Sequence, residues 1–187
     1  MTRDTASATD AVSATDAVDP AASKALRSVG AVFDHVAHAV PSIRAVLPLY
    51  LDLLGGWLSG GGFNPWGGHV AVQIAYPGGG LIELLEPTQP DSPSVGRFLE
   101  RNPRGGLHHV TFKVKDLEEA VGVLRAAGFE PFGTMLDRPR WKETYLHPRQ
   151  TGGVLIQLAQ SAGQVAPLDR PIEELLERAE EMRAGRG

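Results

Sequence analysis

Two stretches of this chain carry the same order of apolar and polar residues, and that internal repeat limits the available folds more than any other feature. His35 and His109 stand 74 positions apart, each before a valine in a strand pattern that runs into a helix pattern. Glu83 and Gln157 stand at the same separation, in LIEL and LIQL. Val36, Val40, Ile43 and Leu49 map in the same way onto Val110, Val114, Leu117 and Val123. Two copies of one module packed about a pseudo-twofold axis would bring both His and both acceptor-bearing residues toward that axis.

The pattern within each copy gives the elements. FDHVAHAV reads as a strand, with Val36 and Val40 on one face and His35, Ala37 and Ala39 on the other. Pro41-Ser42 opens the helix IRAVLPLYLDLLGG, where Pro48 removes a hydrogen bond and introduces a kink, and Gly55-Gly56 ends it. HVAVQIAY and LIELLEP are two further strands, and SPSVGRFLERN is a short helical connector. In the second copy LHHVTFKV is a strand, DLEEAVGVLRAAG an amphipathic helix, and FEPFGTML, WKETYLHP and GVLIQLAQ three more strands. PIEELLERAEEMRAG reads as a charged amphipathic helix. The Gly runs at 60–62 and 78–80 lack the strand-to-helix context of a phosphate loop and read as flexible turns, with 60–68 a candidate lid.

The expected fold is therefore α+β: two tandem β-α-β-β-β modules whose curved sheets form one cup around a metal site. The expected organisation is a disordered Ala/Thr/Asp-rich tail over 1–30, where SATDAV occurs twice, then a domain over 31–160. That domain divides into module one at 31–90, a connector at 91–105 and module two at 106–160, and 161–187 form a C-terminal helical extension.

Composition narrows the chemistry. With no cysteine among 187 residues, a metal here must use His, carboxylate or amide ligands. A net charge of −4 gives no electrostatic footprint for nucleic acid. No stretch is apolar and long enough to span a bilayer, and the first residues lack the apolar run of a secretory signal. Cytoplasmic residence is the expectation.

Strand parity then selects side chains. If Val36, Val40, Ile82 and Leu84 face the helices, His35 and Glu83 face the cup, and His109 and Gln157 follow by the repeat. Two imidazoles, a carboxylate and an amide suit one divalent ion, with Zn, Co, Ni, Mn and Fe all open. Gln73, Lys113, Glu143 and Tyr145 share the inner-face parity. Glu143 is the better candidate general base, because metal binding would drive the pKa of Glu83 downward; Glu83 could still act as a metal-bound base on one face of a substrate. Lys113 could meet an anionic substrate group or snorkel to the rim. Arg138, Arg140, Lys142 and Arg149 could meet a phosphate or carboxylate, or belong to a solvated loop. Trp57, Trp66 and Trp141 either line the cavity mouth or pack in the core. His38 and His108 read as structural, with His108 pointing away from His109; His147 reads as a loop brace and Glu86 as a solvated strand-end charge.

These segments resemble a known group. DHVAHAVP, IELLEP followed by DSPSVGRFLERN, GGLHHVTFKV and LHPRQTGGVLIQL are together similar to the vicinal oxygen chelate superfamily, and within it to methylmalonyl-CoA epimerases, over Phe33 to Leu158. The resemblance implies His35, Glu83 and His109 as metal ligands, a small acyl-CoA or carbonyl substrate, an isomerase or epimerase reaction, and a homodimer. It also marks two departures. The family's fourth ligand is a Glu that serves in proton transfer, whereas Gln157 can coordinate but cannot take a proton near neutral pH. Ala71 stands near the place of a second Glu in the middle strand of the first half. A non-catalytic resistance-type binding protein and an Fe(II)-dependent oxygenase are the alternatives.

Overall fold

Alternation of apolar and polar residues over Val32–Ala39 builds the first strand, β1, and the chain then lays down its elements in the repeated order. The computed structural model describes residues 27–89, 91–161, 168 and 170–185. The first half continues with α1 (Ile43–Pro48), β2 (Trp57–Asn64), β3 (His69–Ala75) and β4 (Leu81–Pro87). A connecting helix, α2 (Val95–Arg101), leads to β5 (Gly106–Lys113), α3 (Leu117–Ala126), β6 (Phe132–Met135), β7 (Trp141–Leu146) and β8 (Leu155–Ser161). Helix α4 (Ile172–Arg183) follows. Most of the expected N-terminal tail lies outside the described residues.

All eight strands join one curled sheet in the order β2-β3-β4-β1-β5-β8-β7-β6. β1 runs parallel to β4 and β5 parallel to β8, while β1 and β5 pair antiparallel at the centre. Exchanging the halves maps this order onto itself, so the pseudo-twofold axis passes between β1 and β5. The halves meet edge to edge through that ladder.

The two helices after the central strands differ. Ser42 caps α1, accepting from the Ala45 amide at 3.4 Å. Pro48 then denies the helix one donor, and residues Leu49–Leu53 widen into a π-helical turn closed by Leu54 N to Leu49 O at 3.0 Å. α3 is uninterrupted, with Asp116 capping the Glu119 amide at 2.9 Å and Leu117, Ala120, Val121 and Leu124 on its buried face. In the first half Val40, Ile43, Val70, Val72, Ile74 and Leu84 form a core completed by Leu175, Leu176 and Ala179 of α4. In the second half α3 and the sheet enclose Val29, Val114, Leu117, Leu124, Leu146 and Leu158 without α4. Each such buried leucine stabilises the fold by roughly 1.5–3 kcal/mol.

Two expectations are corrected here. Glu86 is not solvated: it is 1% exposed, accepts from the Ile43 amide at 2.5 Å and pairs with Arg183 at 2.6 Å. The free amides at the start of α1 and the guanidinium at the end of α4 supply partners that a strand pattern does not reveal. Residues 60–62 are not a turn but the middle of β2, paired with Gln73, Val72 and Ala71 of β3. Glycine is required at 61 because a Cβ would lie 2.4 Å from the Ala71 carbonyl oxygen.

Candidate metal centre

Helices α1, α3 and α4 cover one face of the sheet, and the other face carries two polar rungs across the central seam. One rung runs Gln73, Glu83, Ala37, His109, and the next runs His35, Thr111, Gln157, Tyr145. Adding the repeat interval turns Glu83, Ala37 and His35 of half one into Gln157, Thr111 and His109 of half two. Val95 of α2 packs with Ala37, Ala39 and Leu85.

One ligand atom from each of His35, Glu83 and His109 lies within 4.8 Å of the other two. Glu83 Oε2 is 3.4 Å from His35 Nε2 and 3.9 Å from His109 Nε2. His109 Nε2 is buried and has no hydrogen-bond partner. A buried imidazole lone pair with nothing to accept from, beside a carboxylate, fits a cation. Gln157 adjoins this group through Thr111, whose hydroxyl donates to Gln157 Oε1 at 2.6 Å and lies 3.0 Å from His35 Nε2. The Gln157 amide nitrogen donates to Glu143 Oε2 at 2.8 Å and to the Tyr145 hydroxyl at 3.0 Å. Its oxygen therefore lies on the Thr111 and His35 side and its NH2 group faces Glu143.

The electrostatics set the two imidazoles apart. Burial works against a charged His35, but hydrogen bonds to Asp34 and Glu83 overcome it and hold its pKa at about 9. Burial alone would push Glu83 up; the His35 contact prevails and holds it at about 2. These are two views of one ion pair. His109 lacks such compensation, and burial takes it down to about 3. Without a cation, then, His35 is an imidazolium clamped between carboxylates and His109 is neutral. A metal entering here would have to displace the His35 proton.

The remaining inner-face residues fall into place around this group. Gln73 donates to Glu83 Oε1 at 3.2 Å. Glu143 is buried and also accepts from Trp141 Nε1 at 2.7 Å. Burial drives the Tyr145 pKa upward, so its hydroxyl keeps its proton. Lys113 pairs with Asp34 at 3.0 Å. Arg149 lies exposed on the 148–150 turn, where the His147 ring accepts its backbone amide, and it makes no hydrogen bond or ion pair to the cluster. His147 thus braces that loop. His38 bonds the Tyr50 hydroxyl at 2.6 Å on the helix side, as parity requires.

His108 corrects the expectation of strict alternation. A β-bulge in the central ladder turns it toward His109, with their Nδ1 atoms 2.8 Å apart. Thr111 joins the site although the sequence reading does not single it out; its parity with His109 and its hydroxyl inside a row of ligand types are the available signal. Trp141 was noted only as a lining or core residue, and nothing local reveals its bond to Glu143.

A duplicated module, a curled sheet and polar ligands on the seam define a class. The chain belongs to the glyoxalase/bleomycin resistance protein/dioxygenase superfamily, whose family model matches residues 34–145. Within it the chain is similar to methylmalonyl-CoA epimerases. The ethylmalonyl-CoA/methylmalonyl-CoA epimerase of Cereibacter sphaeroides is 35% identical over 130 residues, covering 68% of this chain and 96% of that protein. The methylmalonyl-CoA epimerase structure from Mycobacterium tuberculosis is 28% identical, with a TM-score of 0.63 over 70% of this chain and 88% of that one. A Streptomyces coelicolor methylmalonyl-CoA epimerase variant in complex with 2-nitronate-propionyl-CoA is 28% identical, with a TM-score of 0.61 over 73% of this chain and 98% of that one.

Proposed function

We propose that this chain is a metal-dependent isomerase that epimerises an acyl-CoA at the carbon beside the thioester. The His35, Glu83 and His109 group on an epimerase-like frame carries that reading. These three residues would hold one divalent ion, Zn, Co, Ni, Mn or Fe, with the Gln157 amide oxygen as fourth donor. When bound, the ion supplies Lewis acidity toward a carbonyl oxygen.

The chain's own residues then divide the proton transfer. Glu143 is the base we assign: it is buried beside the amide that stands where the family carries a Glu, and it sits among donors that orient it. The α-carbon gives its proton to a Glu143 oxygen, and inversion requires a proton to return from the opposite face. Glu83 is our candidate for that side; held ionised at about 2, it would first have to take up a proton from solvent and then pass it to the carbon. Tyr145 and Trp141 hold Glu143 in place. A homodimer is expected from the same kinship.

Proton–deuterium exchange at the α-carbon of methylmalonyl-CoA tests the reading. Exchange should require an added divalent ion and fall by roughly 10²–10⁴ in Glu143→Gln. Absence of exchange by the metal-loaded parent would overturn it. Gln157 favours one second reading, a binding protein of the same fold, for which acyl-CoA would bind to the metal-loaded protein without exchange. Oxygen uptake with Fe(II) would instead mark an oxygenase.

A further inference from the structure

Each candidate histidine ligand is preceded by a residue that bonds its other ring nitrogen. Asp34 Oδ2 lies 2.7 Å from His35 Nδ1, and His108 Nδ1 lies 2.8 Å from His109 Nδ1. Asp34 and His108 are themselves 74 positions apart. Neighbours in a strand normally point to opposite faces. Here the central ladder slips at both places. Phe33 and His35 oppose Phe112 and Thr111, leaving Asp34 over; Ala37 and His38 oppose His109 and Leu107, leaving His108 over. The two bulges break the alternation and turn each extra residue alongside its histidine.

We propose that Asp34 and His108 are paired positioning residues, which keep a proton on Nδ1 of each metal-binding imidazole and so direct Nε2 toward Glu83 as the ligand atom. The inference rests on the metal-site reading above. The protons balance around it. The Asp34 carboxylate only accepts, so His35 Nδ1 donates to it, and Lys113 at 3.0 Å holds the carboxylate from its other oxygen. One proton lies between the two Nδ1 atoms of the His pair. His109 Nε2 is buried without a partner, so a neutral His109 carries its proton on Nδ1 and donates it to His108. His108 then carries its own proton on Nε2, consistent with its backbone hydrogen bond to Ser94. Phe98, 5.2 Å from the His108 ring and on the same helix α2 that Ser94 opens, fixes the plane of that ring. The connector between the halves is thereby tied to one ligand of the centre.

The pair is unequal. An imidazole bonded to a carboxylate is a stronger donor to a metal than one bonded to a neutral ring, so the loss of Asp34 should cost more than the loss of His108. The 187-residue chain and Co(II) alone provide the test, with affinity read by chelator competition and the Nδ1/Nε2 protonation of His109 read by nitrogen NMR of the metal-free protein. Asp34→Ala and His108→Ala should each weaken Co(II) binding by roughly 10–100-fold. Asp34→Asn and His108→Asn keep an acceptor oxygen and should recover most of that loss. The metal-free parent should show His109 protonated on Nδ1.

Unchanged Co(II) affinity in both alanine variants overturns the inference and leaves the metal site standing. A His109 protonated on Nε2 overturns it as well. If an alanine variant does not fold, the asparagine variants and the parent spectrum decide. A parent that binds no Co(II) overturns the metal site and this role with it.

Discussion

The two halves share a backbone plan and differ in what they put on it. Half one offers a carboxylate, Glu83, braced by the amide of Gln73; half two offers an amide, Gln157, braced by the phenol of Tyr145 and the carboxylate of Glu143. Glu143 stands opposite Ala159, just as Ala71 stands opposite Leu85. Setting aside Asp34 in the central ladder, each half thus has one acid near the centre on its outer strands, β4 in one and β7 in the other. Half one places it within reach of both imidazoles, and half two places it behind the amide. The lesson is that the repeat keeps the apolar face and the two histidines, while the inner rungs differ: the acid lies among the candidate ligands in half one and behind the amide in half two.

The largest effects test the shared part. The parent should hold about one divalent ion per chain, and His35→Ala or His109→Ala should abolish stoichiometric binding in elemental analysis. Replacing acceptors tests the divergent part. Glu83→Gln should weaken metal binding by roughly 10–100-fold in chelator competition, because it removes the anion of the set, while Gln157→Ala should cost only a few-fold. Equal losses in these two variants would mean that the halves contribute alike, against the division drawn above.

Much of this was legible in the sequence, for a physical reason. A period of two fixes which face a side chain takes, so His35, Glu83, His109 and Gln157 could be put on one face before any coordinates. The repeat interval did the rest. What escaped were departures from regularity. His108 and Asp34 sit at bulges, which insert a residue that no periodicity announces. The pairing of β7 with β8 is offset by two residues from that of β3 with β4, so Glu143 corresponds to Ala71, with parity preserved. The burial of Glu86 is not legible from its strand because its partners, Ile43 and Arg183, come from elsewhere in the chain.

The outer faces provide a smaller test. Half one has a helix interrupted at Pro48 and relies on α4 for cover, whereas α3 alone covers half two. Leu176→Ala in α4 and Leu124→Ala in α3, each 2% exposed, should both cost about 2–5 kcal/mol in urea unfolding. A negligible loss in Leu176→Ala would show that half one does not need the extension.

The smallest effect, and the sharpest contrast between equivalent positions, lies in pH dependence. His35 is raised from 6.5 to about 9 in the folded chain, so its contribution is full below pH 6.5 and disappears as pH climbs through 9. His109 is lowered from 6.5 to about 3, so the unfolded chain binds protons more readily between those values and stability is lost as pH falls across that window. Metal-free protein should therefore be most stable near pH 6.5 and weaken in both directions, as read from urea midpoints. A bound divalent ion replaces the His35 proton and should flatten the alkaline arm. The same replacement should release close to one proton per ion near pH 7.5, measured by calorimetry in buffers of different ionisation enthalpy. A flat alkaline arm in the metal-free protein would mean that His35 is not held as an imidazolium, and the asymmetry between the two histidines would then have to come from their ligand roles alone.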